Sequence, residues 1–178
     1  MMMADPRHSC LVLLNLTRGD GGDDQAIAVR RAGSLALLPA CRELFGVSVI
    51  AIGEYDRGLL TDQIAASIEY LDIDALSLWR DPRLAAQLAE SGAGVIFIGG
   101  AFLEEEVLIA ALEGARCGYD IRLLSDLSVD RHEADRPLVL ARLAHYGILA
   151  TTIRQALLEW VTVLGDDAVS RRILELLS

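Results

Sequence analysis

Short apolar runs alternate along the chain with longer stretches whose apolar positions recur at helical spacing. "SCLVLLNL" (9–16) is apolar at almost every position, the pattern of a strand covered on both faces. Residues 25–45 show the helical period, and Pro39 marks a point where that helix kinks or breaks. "GVSVIAIGEY" (46–55) predicts a second strand and "ALSLW" (75–79) a short third. "PRLAAQLAESG" (82–92) predicts a helix that opens on Pro82 and closes at Gly92. "AGVIFIGG" (93–100) predicts a fourth strand and "EEEVLIAALEGARCG" (104–118) the helix after it. "DIRLLSDL" (120–127) reads as the fifth strand, 133–146 as a helix and "ILATTI" (148–153) as the sixth strand. Helices over 154–164 and 167–177 close the chain.

This rhythm of strand and helix predicts an α/β fold. It should be a three-layer α-β-α sandwich with a mostly parallel, Rossmann-like six-stranded sheet. Residues 1–178 are expected to form one domain, with 1–8 as a disordered or tag-like lead-in. Ligands of such sheets sit beyond the carboxyl ends of the strands, near the switch in strand order. The segments to inspect are therefore 15–18, 53–57, 77–80, 99–106 and 126–132. They supply Arg18, Tyr55, Arg57, Ser77, Trp79, Ala101, Phe102 and Glu105 as pocket candidates.

Composition narrows the picture. Apolar residues make up 53% and aromatics only 5%, so the core must be aliphatic and rich in alanine. The net charge is −10, and all 16 basic residues are arginine. No lysine is present to act as base, Schiff-base former or anion clamp. An acidic chain without a basic cluster argues against nucleic-acid partners and anionic membranes. Cys10, Cys41 and Cys117 are few and widely spaced, as expected of reduced thiols in the cytoplasm. "MMMADPRHSC" lacks the apolar centre of a signal peptide, and no apolar run approaches the ~20 residues of a membrane span.

Candidate chemistry is sparse. "GDGG" (19–22) follows the first strand but is neither a dinucleotide fingerprint nor a Walker loop; its neighbours Asp23 and Asp24 would repel phosphate. His8, His132 and His145 form no metal-ligand spacing, and "DRHEAD" (130–135) reads as a solvated helix entry. No metal and no cofactor is predicted. Cys117 lies near a helix C-terminus, where the dipole disfavours a thiolate, and no G-x-S-x-G elbow occurs. There remain three consecutive carboxylates, Glu104, Glu105 and Glu106, at a strand-to-helix join. Helical neighbours lie 100° apart, so the three cannot share a direction. Acids in a first turn are stabilised by the helix dipole by roughly 0.3–1 kcal/mol each, which explains them without catalysis. The functional alternative puts one of them in a pocket as a base or cation partner.

"VIFIGG" followed by "EVLIAALEGARCGYDIRLLSDLSVDR" resembles the central motif of the isochorismatase-like cysteine hydrolases. "LARLAHYGILATTIRQALLEW", "GVSVIAIGEYDRGL" and "CLVLLNL" are similar to that family's later helix–strand–helix, second strand and first strand. The resemblance covers nearly the whole chain and is most specific over 94–160. It implies the isochorismatase-like fold. It also implies a site built from an Asp ending the first strand, a Lys near the third and a Cys opening the helix after the fourth. The matching positions here hold Asn15, Ile73 (in a loose register) and Glu106. All three roles are vacant, so the fold is expected and the parent cysteine-hydrolase activity is not.

Three functions remain. The first is a non-catalytic homologue that binds a small molecule or another subunit. The second is a hydrolase of small amides or isochorismate-type compounds with repurposed chemistry at Glu106. The third is a flavodoxin-like nucleotide binder, which lacks a phosphate loop. A homo-oligomer is expected, given the apolar composition and the amphipathic "AVSRRILELLS" at the end.

Overall fold

The computed structural model describes residues 2–19 and 24–178. The "GDGG" stretch, apart from Gly19, lies outside the described residues. Six strands form one sheet in which every pairing is parallel: β1 (Ser9–Leu14), β2 (Ser48–Ile52), β3 (Glu69–Leu71), β4 (Val95–Ala101), β5 (Asp120–Val129) and β6 (Ala150–Thr151). Their order is β3-β2-β1-β4-β5-β6, so the direction of winding reverses between β1 and β4.

Among the described residues, eight α-helices cover the two faces: α1 (Gln25–Leu35), α2 (Leu38–Phe45), α3 (Asp62–Ala66), α4 (Pro82–Ser91), α5 (Leu108–Arg116), α6 (Arg136–His145), α7 (Ile153–Leu164) and α8 (Asp167–Leu177). Strand alternation sorts the core into two layers. Cys10, Val12 and Leu14 of β1 pack with Leu84 and Leu88 of α4, Ala110 and Ala111 of α5, and Leu143 of α6. Leu11 and Leu13 point the other way, onto Leu38 and Cys41 of α2 and Leu157 and Trp160 of α7. Trp160 is fully buried, with Phe45 and Phe97 edge-on to its ring at 5.3 and 5.6 Å. The sandwich and its parallel sheet are as the hydrophobic pattern predicts.

The expected long helix over 25–45 is two helices. Pro39 sits in the first turn of α2, where its missing N–H costs nothing, and the chain breaks at Ala36 and Leu37. The third strand is not "ALSLW". There, the Asp74 carboxylate accepts the Leu76 N–H at 2.8 Å, and the turn it fixes leads into a short helical turn, Leu78–Arg80. Ala75 and Leu78 of that stretch are buried in the core, whereas Leu76 is exposed. The actual β3 is an edge strand reading Glu-Tyr-Leu, with none of the doubly buried pattern that betrays β1 and β4. The lead-in is described from Met2 onward. Ala4 is buried, its N–H donating to Glu159 at 2.8 Å, and Arg122 donates to the Met2 carbonyl at 2.8 Å.

Candidate functional site

The crevice between the carboxyl ends of β1 and β4 collects Asn15, Arg18, Ala101, Phe102, Glu105 and Glu106. Asn15 is buried and takes a left-handed conformation, φ +48°, which asparagine tolerates better than most residues. Its amide group joins three strand ends. Nδ2 donates to the Ala101 carbonyl at 2.8 Å, and Oδ1 accepts the Glu54 N–H at 2.9 Å. Gly53, at φ +80°, leaves room for it, because a Cβ there would collide with Asn15 Oδ1. Asn15 is thus a strut that uses both a donor and an acceptor, which an ionised aspartate cannot supply.

The helix expected to begin at Glu104 begins at Leu108. Residues 103–107 form one wide turn, closed by the Val107 N–H on the Phe102 carbonyl at 3.2 Å, and Glu105 leaves helical geometry altogether. A helix dipole therefore does not account for the three glutamates. Each has its own long-range partner. Glu104 accepts the His132 N–H at 2.6 Å, and both Glu105 oxygens accept from Arg131 Nε at 3.0 Å. Glu106 accepts from Arg18 Nη1 at 3.0 Å, while Arg18 Nε donates to Glu54, also at 3.0 Å. Both arginines also approach the buried Phe102 ring, with Arg18 Cζ 5.4 Å and Arg131 Cζ 4.3 Å from its centroid.

Burial pulls the Glu106 carboxyl upward, but the polar backbone N–H groups of Glu106 and Phe102 nearby, together with the Arg18 guanidinium, outweigh it and leave the pKa lowered. A depressed carboxylate is a weak base. It also couples the ion pair to acidity. This stabilisation is present above the unfolded carboxylate pKa of about 4.3 and is lost as pH falls through the lower folded value. Glu106→Gln is therefore expected to cost about 1 kcal/mol at pH 7. Urea unfolding should show that gap closing as the pH is taken below about 4.

The remaining candidates divide. Tyr55 and Arg57 lie on the neighbouring β2 exit, Tyr55 stacked on Tyr70 at 5.1 Å and Arg57 exposed in a short turn. Ile73, Ser77 and Trp79 are not brought into the crevice. Ile73 is buried in the core with its carbonyl accepting the Gly53 N–H, and the Ser77 hydroxyl bonds the Asp74 carbonyl. Trp79 donates to the Ala110 carbonyl at 2.8 Å and stacks on Tyr119. Glu54 and Arg131 were not among the candidates, although both lie in the strand-exit segments; the signal was unlike charges at successive exits. Burial drives the thiols of Cys10 and Cys41 up to about 12, whereas Cys117 is exposed at the end of α5.

No family model and no curated protein matches the chain. Solved structures do. The chain is similar to YcaC of Escherichia coli, described as an octameric hydrolase of unknown specificity, at 15% identity and a TM-score of 0.78 over 99% of this chain and 91% of that one. It is similar to an isochorismatase family protein of Desulfovibrio vulgaris at 13% identity and TM-score 0.64, covering 83% and 95% of the two chains. It is also similar to the N-carbamoylsarcosine amidase of Thermoplasma acidophilum, at 16% identity and TM-score 0.61, covering 82% and 96%. The fold is therefore the isochorismatase-like α/β fold, and at these identities the likeness is one of fold. Among the described residues no helix is long and apolar enough to cross a membrane.

Proposed function

We propose that this chain is an isochorismatase-family homologue that has lost cysteine-hydrolase chemistry and acts as a non-catalytic, small-molecule-binding or subunit-interaction protein. One observation carries the reading: the Glu106 carboxylate, at the position where the family resemblance implies the nucleophile, is engaged by Arg18. Support comes from Asn15, used as a backbone strut where the family resemblance implies a proton-transferring Asp, and from a chain without lysine. A repurposed hydrolase with Glu106 as base is the second reading. It is disfavoured because Arg18 and the backbone donors hold that carboxyl low, away from the range of a general base. By analogy with octameric YcaC, the working form is a homo-oligomer.

The test is an assay of purified protein against small amides, N-carbamoyl compounds and isochorismate-type ethers, on material whose mass is read by light scattering. The expected outcome is an oligomer without turnover, and Glu106→Cys alone should not create activity. Steady turnover abolished by Glu106→Gln would refute the loss of chemistry, and a monomer at micromolar concentration would refute the assembly.

A further inference from the structure

Beside the crevice, at the β5 exit, lies a second polar feature whose lining does not include Asn15 or Glu106. Strand β5 does not keep step with β4. Ile98 pairs with Leu123, yet Gly100, only two residues on, pairs with Ser128. The surplus residues bulge out of the ladder and carry Ser125 and Asp126 to the edge of a cavity of about 220 Å³. Its other walls are α1, through Arg30 and Arg31, and the entry to α6, through Asp130, Glu133 and Arg136.

Most of these groups are held in place. Arg136 donates to Asp130 at 2.7 Å and to the carbonyls of Ser125 and Ser128 at 3.1 and 2.6 Å. Asp126 accepts the first N–H of α7, from Ile153, at 3.2 Å. Arg30 and Glu133 are different. Both are exposed, they have opposite charge and they line the same cavity. Yet neither side chain makes a hydrogen bond or an ion pair among the described residues, with each other or with anything else. Two unlike charges that line one cavity and do not close on each other suit a ligand that carries both complements.

The lining narrows the class. Three arginines and three carboxylates balance, on a chain whose net charge is −10. A phosphate would meet three carboxylates, and a metal cation would meet three guanidinium groups, so neither sign alone is favoured. The volume equals the share of about seven water molecules, at about 30 Å³ each. That is below the ~300–1,000 Å³ of pockets for drug-sized ligands. We propose that this cavity binds a small linear zwitterion of the ω-amino acid type, its carboxylate on Arg30 and its ammonium between Glu133 and Asp126. The cavity is lined by none of Asn15, Ile73 and Glu106, so this proposal does not require the loss of cysteine-hydrolase chemistry.

Isothermal titration calorimetry of the full chain with 4-aminobutyrate tests it, with butyrate and butylamine as single-charge controls. 4-Aminobutyrate should bind with a Kd of about 1 mM or tighter. Each control should bind at least about tenfold more weakly, and Arg30→Gln and Glu133→Gln should each weaken 4-aminobutyrate by about tenfold or more. Both positions are exposed, so unchanged melting temperatures are expected and would show that the variants remain folded. The proposal is overturned by no heat of binding up to about 10 mM, by a control binding as tightly as 4-aminobutyrate, or by variants that bind like the parent. Any of these would leave Arg30 and Glu133 as ordinary solvated charges.

Discussion

Replacing Gly100 by alanine is expected to unfold the protein or reduce its stability by about 4 kcal/mol or more, a large part of the ~5–15 kcal/mol that holds a typical domain together. Gly100 takes φ +119°, where an L side chain is strained, and a Cβ there would run into the Leu14 carbonyl of the neighbouring strand. Leu14 and Gly100 are register partners at the switch between β1 and β4, so neither backbone can retreat without breaking the central ladder. Gly99 is the control. A Cβ on Gly99 would meet the side chains of Leu127, Leu124 and Leu13 at 3.3–3.4 Å, and side chains can yield by tenths of an ångström. Gly99→Ala should therefore cost only about 1–2 kcal/mol. Urea unfolding of the two variants decides it; a soluble Gly100→Ala protein as stable as Gly99→Ala would show that the close approach is not a constraint.

The site follows from that constraint. Because β1 and β4 run so close at their ends, the Asn15 amide can reach across to Ala101, and the two strand exits deliver Arg18 and Glu106 to one another. The strands themselves were legible because burial on both faces leaves an uninterrupted apolar run, as in β1 and β4. β3 was not, because an edge strand of three residues needs no such run, while the buried residues of "ALSLW" imitate one. That Glu106 follows closely on the fourth strand was legible from the apolar run before it. Its partner was not. Arg18 lies 88 residues away, and the partners of Glu105 and Glu104 lie 26 and 28 residues away. Sequence periodicity reports neighbours within an element, whereas these pairs are set by the order in which parallel strands assemble. The dipole explanation of the three glutamates failed for a related reason: the wide turn at 103–107, which postpones the helix, has no signature of Gly or Pro within it.

Asn15→Asp, the change that nominally restores the acid implied by the family resemblance, is expected to destabilise this chain by about 3 kcal/mol at pH 7 rather than activate it. The Glu54 N–H would still be satisfied by one carboxylate oxygen. The other would replace a donor 2.8 Å from the Ala101 carbonyl, setting a buried negative charge against a carbonyl dipole. Burial and that repulsion would raise the folded pKa of the new carboxyl above its unfolded value of about 3.9. For an acid whose folded pKa is raised, the penalty is full above the folded value and disappears as pH falls below the unfolded one. Protonation also restores a donor for Ala101, so chemistry and linkage agree in sign. Paired urea titrations of parent and variant at pH 7 and pH 4.5 should therefore show the stability gap narrowing in acid. A gap that is constant or widens would mean that the side chain has swung out of the crevice and that Asn15 is not the strut between the strand ends. A negligible gap at pH 7 would mean that the crevice accepts a carboxylate as readily as an amide, which would reopen acid–base chemistry at this position.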